Sequence, residues 1–286
     1  MDYRKAAENR KSIREFTDRQ LSEDCVTVIK NSIDQCRRLK PEIETEQLLI
    51  NGSDYHYLED CVGYEGMSFH APAYLVLLSE LAPGYLENAG YMIEDMILTM
   101  TDMGIDSCWL TVIEGETLKD ILELDTDKTV AAVAAVGYGK KERSLTRLHI
   151  KSPSNVEIVT REGHVAPKMT VSEMVYGDSW NNPADLDENL VDGGLLDAFY
   201  AASCAPTFLN RQPFRFLMGD AKVLLIKKLD SMTGECDGRL NCGAIMLNFA
   251  AVLEERRPFS PKWVLGKPAE EYPIPADCEI VGYCEI

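Results

Sequence analysis

Apolar residues recur along the chain at two kinds of spacing, and each spacing predicts a type of element. From residue 88 to residue 103 the spacings are 4, 3, 4 and 3, which is typical of one buried stripe along a helix. The stripe comprises Ala89, Ile93, Met96, Met100 and Met103. Short apolar runs predict buried strands, and the clearest are residues 73–78, 133–138, 222–226 and 279–283.

A further helix is predicted to begin just after Leu21, where the signals for a helix N-terminus are strong. Ser22 is a suitable N-cap, and Glu23 and Asp24 would lie in the first turn, at the positive end of the helix dipole. A second helix of this kind is predicted from about residue 190 to about residue 202. Both are expected to pack on the core.

The pattern of elements occurs twice. Asn88 and Gly90 stand at the start of one apolar helix, and Asn241 and Gly243 stand at the start of another with the same spacing. A strand-like run precedes each helix and a Val-Gly-Tyr strand follows each, at offsets of about 145 to about 153 residues. Two such helices and strands could also arise by chance, but three coincidences in the same order favour a duplication.

We therefore predict an α+β fold in which two diverged α/β halves pack as a pseudo-dimer around mixed sheets. The first half is assigned to residues 1–150 and the second to residues 188–286. The connecting segment, residues 151–187, is rich in Pro, Ser, Asn and charged residues. Since a pseudo-dimer already buries the surface that two subunits would share, a monomer is expected.

Composition agrees with a globular protein of the cytoplasm. Hydrophobic residues make up 45% of the 286 positions and charged residues 27%. The longest strongly apolar run, Val130 to Val136, is too short to span a bilayer, and the first residues lack the apolar core of a signal peptide. Nine scattered cysteines without a Cys-x-x-Cys pair favour reduced thiols over disulfides.

Charge and histidine content restrict the classes of ligand. A formal net charge of −18 opposes binding to nucleic acid or to an anionic membrane surface. The four histidines are far apart, and no His/Cys pair has the spacing of metal ligands on a helix, so no metal site is expected. A small anionic ligand remains compatible with the few places where basic residues cluster.

One such cluster is Arg10-Lys11-Ser12-Ile13-Arg14, just before a predicted helix. Three cations and a hydroxyl within five residues could hold a phosphate through charge-assisted hydrogen bonds. A basic run near a terminus is, however, more commonly a solvated face.

A second polar segment, Ala205 to Phe216, follows a helix and precedes a strand. Pro206 is expected to end the helix and Pro213 to open the strand, because neither position needs a backbone donor. Between the prolines, Thr207 and Asn210 would stand on a stiff loop that suits the orientation of a ligand. An ordinary helix-to-strand turn is the competing interpretation.

Both segments resemble signatures of the nitroreductase family of flavoproteins. Residues 10–14 are similar to its Arg-x-Ser-x-Arg signature, and residues 205–216 are similar to its Ala-Pro-Ser-x-x-Asn-x-Gln-Pro-Trp-Arg-Phe loop. Further similarities follow in the family's usual order at Gly90, Met103 to Leu110, Ile113-Glu114-Gly115 and Val136-Gly137-Tyr138. The Cys-Trp and Asn-x-Gln-Pro elements are the more specific of these, and the fold implied is nitroreductase-like.

The chain departs from the family in how the signatures are distributed. Family members carry both in one chain and form homodimers with two flavins. Here the first half has the basic signature, but residues 36–42 replace its loop; the second half has the loop, but residues 171–176 replace its basic signature. The resemblance therefore implies a fused pseudo-dimer with one flavin site, like the two-half nitroreductases.

The resemblance implies roles for individual residues toward FMN. Arg10 and Ser12 would contact the phosphate or the ribityl chain, and Arg14 would lie at the N1/O2 edge of the ring, where a cation stabilises reduced flavin. A backbone N–H near Glu114 or Gly115 would face N5. Basic residues after Tyr138 would reach the phosphate. The predicted cofactor-binding residues are Arg10, Lys11, Ser12, Arg14, Glu114, Gly115, Lys140, Arg143, Pro206, Thr207, Phe208 and Asn210.

Trp109 and Cys108 have two interpretations each. A tryptophan after a helix is more often a core residue than a flavin contact. Cys108 is expected to be a small buried residue rather than a nucleophile, since no histidine is placed to activate it.

The implied function is reduction of FMN by NADH or NADPH, followed by two-electron reduction of a small acceptor such as a nitroaromatic, a quinone or a free flavin, in a ping-pong scheme. No acid–base pair is required, because the cofactor supplies the reactivity. Two alternatives stay open: a flavin-binding protein without this turnover or with a specialised reaction, and a flavin-free structural or ligand-binding module.

Overall fold

The structure of the chain is a computed structural model. It describes residues 1–53, 58, 60–63, 69–140, 145–152, 155–161, 166–185, 194–219, 221–258 and 260–286, with the backbone alone for 145–152 and 155–161.

The first half contains an antiparallel four-stranded sheet with the order β1-β2-β4-β3. Its strands are β1 (Thr45–Asn51), β2 (Ala73–Ser79), β3 (Asp106–Leu110) and β4 (Thr129–Gly137). Its helices are α1 (Tyr3–Asn9), α2 (Glu23–Asp34), α3 (Tyr85–Asp102) and α4 (Gly115–Ile121). The predicted start of α2 is confirmed, because the Ser22 side chain accepts a hydrogen bond from the backbone of Cys25.

The second half repeats this arrangement. Its sheet has the order β10-β11-β9-β8-β7, whose first four strands match the order of the first sheet, and only the short β7–β8 pair is parallel. The strands are β7 (Val175–Tyr176), β8 (Phe214–Gly219), β9 (Lys222–Lys228), β10 (Trp263–Leu265) and β11 (Cys278–Glu285). The helices are α5 (Val171–Met174), α6 (Leu195–Cys204) and α7 (Glu235–Arg256). The predicted α+β fold of two related halves is confirmed.

A two-stranded hairpin connects the halves, with strands β5 (Leu145–Ser152) and β6 (Asn155–Arg161). The predicted boundary at residue 150 lies inside this hairpin. Farther along the connecting segment, β7 joins the second sheet, so this segment is partly built into the second half.

The repeated glycines mark the point where the two central helices α3 and α7 cross. A Cβ atom on Gly90 would lie 2.1 Å from the carbonyl oxygen of Leu240, and one on Gly243 would lie 2.1 Å from that of Glu87. No side chain fits between the two backbones. The halves therefore pack through the same position of each repeat, as a pseudo-two-fold arrangement requires.

The repeated asparagines hold equivalent loops. The side-chain oxygen of Asn88 accepts a hydrogen bond from the backbone of Lys40 at 2.9 Å, in the loop after α2. The side-chain oxygen of Asn241 accepts one from the backbone of Phe208 at 3.1 Å, in the loop after α6. Each central helix thus fixes the equivalent loop of its own half.

The predicted apolar stripe of α3 is confirmed as core. Ala89, Ile93, Met96 and Met100 are fully buried against residues of β2 and β4, while Met103 is partly buried beside them. Within the described ranges, no helix combines the length and the apolar content that crossing a membrane requires.

Candidate functional site

The basic segment after α1 is held in extended form beside the first sheet. Ser12 forms a bridge with Ser107 of β3, and the backbone N–H of Ile13 donates to the carbonyl of Ser107 at 2.9 Å. Farther along, the N–H of Thr17 donates to the carbonyl of Tyr138 at 2.8 Å. This anchoring leaves Lys11, Ser12 and Arg14 exposed.

The loop after α6 has an unusual backbone. Leu209, Asn210 and Gln212 all have left-handed conformations, with φ values of 48°, 55° and 53°. Such conformations are uncommon outside glycine and are held only where surrounding contacts over-determine them. Here the N–H of Gln212 donates to the Thr207 hydroxyl at 3.1 Å, and Asn241 holds the N–H of Phe208. Concentrated strain of this kind is typical of ligand-binding loops.

The two segments face each other across a cleft between the halves, which we call the interhalf cleft. It consists of two contiguous cavities of about 530 Å³ and about 970 Å³. Their volumes lie in the range typical of small-molecule sites. Both cavities are lined by Ser12, Arg14, Pro206, Thr207 and Leu209.

The cavities differ in chemistry. The smaller one is largely apolar, with Phe69, Trp109 and Leu110 from the first half and Leu240 and Ala244 of α7 from the second. The larger one carries the basic side chains of Arg10, Lys11 and Lys168. An anionic group with an attached flat, apolar ring would suit this combination.

Eight of the twelve residues predicted to bind the cofactor line the interhalf cleft: Arg10, Lys11, Ser12, Arg14, Pro206, Thr207, Phe208 and Asn210. Sequence positions 10–14 and 206–210 are thereby brought together although they belong to different halves.

Three of the other four lie elsewhere. The N–H of Glu114 donates to the carbonyl of Cys61 at 3.1 Å, and Gly115 opens α4, beside Val112 and Val130. Lys140 is exposed, and its N–H donates to the carbonyl of Glu15 at 2.9 Å. None of the three lines the cleft. Arg143 lies outside the described residues.

Arg10 is buried rather than part of a solvated face. Only 9% of it is exposed, and its guanidinium donates to the Ser12 hydroxyl at 3.3 Å and to the carbonyl of Cys204 at 3.4 Å. Its Nε lies 3.7 Å from Oε1 of Glu94. The cation thus connects the first half to the end of α6 while bordering the larger cavity.

Sequence reasoning missed the role of Glu94. Its fully buried carboxylate accepts a hydrogen bond from the indole of Trp109 at 3.3 Å. Burial raises the pKa of Glu94 to about 7, against the opposing effect of Arg10. The feature of the sequence that could have identified Glu94 is its position in α3, where an acidic residue directly follows Ile93 of the apolar stripe.

Lys168 was missed as well. Its ammonium donates to the carbonyl of Ala205 at 2.7 Å, and burial, together with the nearby charge of Arg10, lowers the pKa of Lys168 to about 8. No motif surrounds this lysine, so nothing in the local sequence distinguishes it.

The structure bears differently on the alternative interpretations of Trp109 and Cys108. Trp109 packs on the core beside α3, as expected, and also lines the smaller cavity, where contact with a flavin stays a prediction. Cys108 also lines that cavity but is buried, and burial raises the pKa of its thiol. A raised pKa disfavours the thiolate that a nucleophile would need.

Ionisation of Glu94 should make stability depend on pH. Its folded pKa of about 7 exceeds its ordinary value of 4.5, so the stability it contributes is complete below pH 4.5 and is lost as the pH rises through about 7. Between pH 5 and pH 8 we expect the wild type to lose about 2 kcal/mol relative to Glu94→Gln. Urea unfolding at several pH values measures this. Glu46→Gln, at an exposed carboxylate, should follow the wild type; a constant difference between wild type and Glu94→Gln would contradict the assignment.

We compared the sequence and the structure with those of known proteins. No curated protein matches the sequence. The crystal structure of a "putative nitroreductase" from Thermotoga maritima MSB8 aligns with 100% of this chain and 94% of its own, at 15% identity and a TM-score of 0.59, so the two share a fold.

Smaller proteins align with about half of the chain. A nitroreductase family protein from Clostridium novyi NT covers 49% of it with 87% of its own length, at 18% identity and a TM-score of 0.43. An FMN-dependent nitroreductase from Clostridium difficile R20291 covers 48% with 88% of its length, at 18% identity and a TM-score of 0.44.

At the level of sequence, the family model described as "Putative TM nitroreductase" matches residues 2–237. Because this match extends through most of the chain, the protein belongs to that nitroreductase family.

Proposed function

We propose that the protein is an FMN-dependent oxidoreductase with its flavin in the interhalf cleft. The observation that carries the proposal is the meeting of the basic segment of one half with the strained loop of the other, around adjoining basic and apolar cavities. Family membership supports the same chemistry.

The polar groups of the cleft fit such a ligand. Nε of Arg10 and Nδ2 of Asn241 are buried without a hydrogen-bond partner. Arg10 borders the larger cavity and Asn241 the smaller one. Buried donors in native proteins are nearly always satisfied, so Nδ2 of Asn241 is expected to acquire an acceptor from a ligand or from ordered water, whereas Nε of Arg10 faces Oε1 of Glu94 at 3.7 Å.

Different residues of the cleft would bind different parts of FMN. Arg10, Lys11 and Ser12 would bind the phosphate and the ribityl chain, and Arg14 would lie near the ring. Pro206, Thr207, Phe208 and Asn210 would close the site from the second half. Bound FMN supplies two-electron transfer through a hydride. Trp109 and Leu110 line the smaller cavity with apolar surface that would exclude water from a flavin ring bound there.

We propose one FMN per chain and a monomer, with the halves at residues 1–150 and 188–286 joined by 151–187. At the counterpart loop, residues 36–42, the guanidinium of Arg37 donates to the hydroxyl of Tyr3 at 2.9 Å and pairs with the carboxylate of Glu254. The backbone N–H of Arg37 donates to Asp95 at 2.9 Å. The charge of Arg37 is therefore neutralised by the chain itself rather than presented to a ligand.

The proposed electron donor is NADH or NADPH, and the proposed acceptors are nitroaromatics, quinones or related small molecules, reduced in a ping-pong cycle. Cysteine usage makes the cytoplasm the expected compartment.

Absorbance spectroscopy tests the proposal. We expect titration of apoprotein with FMN to saturate at one equivalent, NADH or NADPH to bleach the bound flavin, and a nitroaromatic or quinone to restore its colour. A protein that stays colourless in FMN refutes flavin binding, and two equivalents refute the single site. A flavin that binds but is bleached by neither nucleotide refutes the reductase activity alone.

A further inference from the structure

We propose that Lys168, from the segment connecting the halves, is a binding residue for the phosphate of the cofactor and forms a third wall of the site with its neighbours. This rests on the proposed function and adds to it a contribution that belongs to neither flavin signature.

The connecting segment is tied to the strained loop by hydrogen bonds. The side-chain amide of Asn210 donates to the carbonyl of Pro167 at 2.8 Å, and the N–H of Met169 donates to the side-chain oxygen of Gln212 at 2.7 Å. Residues 166–171 consequently line the larger cavity opposite the basic segment. Lys168 stands in the middle of this wall, between the two anchored residues.

The side chains of Lys168 and Arg10 both lie at the C-terminal end of α6. They donate to consecutive backbone carbonyls, those of Ala205 and Cys204, at the C-terminal end of α6. The negative end of that helix favours both cations. Each remains beside the larger cavity, so a phosphate there could accept hydrogen bonds from both.

The charges around this place are unbalanced. Glu94 is the buried acid near the pair, and it lies behind Arg10 rather than in either cavity wall. At the rim of the larger cavity Glu8 is exposed and accepts a bond from the Tyr200 hydroxyl, while Lys11 adds another cation. The buried Arg10 and the partly buried Lys168, with one buried acid whose pKa is raised to about 7, leave excess positive charge near neutral pH. A bound dianion would relieve it.

A phosphate monoester is the ligand chemistry that matches these groups. FMN carries it and riboflavin does not, so the two flavins separate contact with the phosphate from contact with the ring. We expect Lys168→Gln to weaken FMN binding by about tenfold and to leave riboflavin binding unchanged. Lys168→Arg, which keeps the charge, should stay within about threefold of the wild type.

Fluorescence titrations of the full chain with FMN and with riboflavin measure both affinities, with circular dichroism to verify folding. Lys5→Gln is the matched control, because Lys5 is an exposed lysine of α1 that does not line the cleft. Unchanged FMN affinity in Lys168→Gln overturns the inference, and so does an equal loss for both flavins. If the wild type itself binds no FMN, the proposed function fails.

Discussion

We expect Gly243→Ala to lower the free energy of unfolding by about 3 kcal/mol or more. The new methyl carbon would lie 2.1 Å from the carbonyl oxygen of Glu87 and 2.6 Å from the backbone nitrogen of Tyr91. Both contacts are to the backbone of α3, so no side-chain rotation relieves them and the two helices must separate. That separation would loosen the cores of both halves. Urea unfolding followed by circular dichroism measures the loss.

Gly238→Ala is the matched control, because Gly238 lies in the same helix. The nearest atom to its new methyl carbon is Cδ of Lys227 at 3.6 Å, an ordinary contact at the end of a flexible side chain. Alanine favours a helix over glycine by up to about 1 kcal/mol, so this variant should be unchanged or slightly more stable. Equal stability of the two variants would show that α3 and α7 do not cross at Gly243.

Arg10→Ala and Asn210→Ala should each weaken FMN binding, although the two positions are 200 residues apart in sequence. For Arg10 the expected loss is about tenfold to about a hundredfold, since a charge-assisted hydrogen bond contributes about 1.5–3 kcal/mol. Asn210→Ala removes one side chain from the lining of the larger cavity together with its hydrogen bond to Pro167, which should loosen the strained loop and lower the affinity for FMN by about tenfold. Quenching of FMN fluorescence measures both constants.

Each of these variants has a neighbouring control. Arg4 lies on α1, just before the basic segment, and pairs with Asp197 at 2.9 Å, whereas Arg211 follows Asn210 and pairs with Asp230 at 2.6 Å. Neither lines the cleft, so Arg4→Ala and Arg211→Ala should retain wild-type affinity. If only one of Arg10→Ala and Asn210→Ala binds FMN more weakly, the site is not shared between the halves.

Much of the fold could be predicted from local patterns. Helices α3 and α7 and strands β2, β4, β9 and β11 were predicted because burial on one face of a helix, or throughout a strand, imposes a periodicity on neighbouring residues. The duplication could be predicted from the sequence because equivalent structural positions in the two halves require the same residue types. Gly90 and Gly243 recur because both occupy the same crossing, where any side chain would meet backbone.

The candidate site was only partly predictable from the sequence, and the residues that were missed were missed for a common reason. Residues 10–14 and 206–210 carry motifs, so a resemblance could identify them. Lys168 and Glu94 carry none, because their roles come from residues distant in sequence: Ala205 and Arg10 for the lysine, and Trp109 and Arg10 for the acid. Glu114 and Lys140 show the converse, since position in a motif did not bring them to the cleft.

The sequence by itself determined the types of the main elements, their duplication and the complementary motifs of the two halves, because these depend on periodicity and on short-range order. The resemblance assigned the two motifs to one site, and the tertiary structure places them at one cleft. Only the tertiary structure decided that Arg10 is buried beside Glu94 and that the connecting segment supplies Lys168 to the cleft wall. Those facts depend on how two halves pack through α3 and α7. Burial and charge at the resulting interface are sums over residues that are neighbours in space, and no local pattern records them.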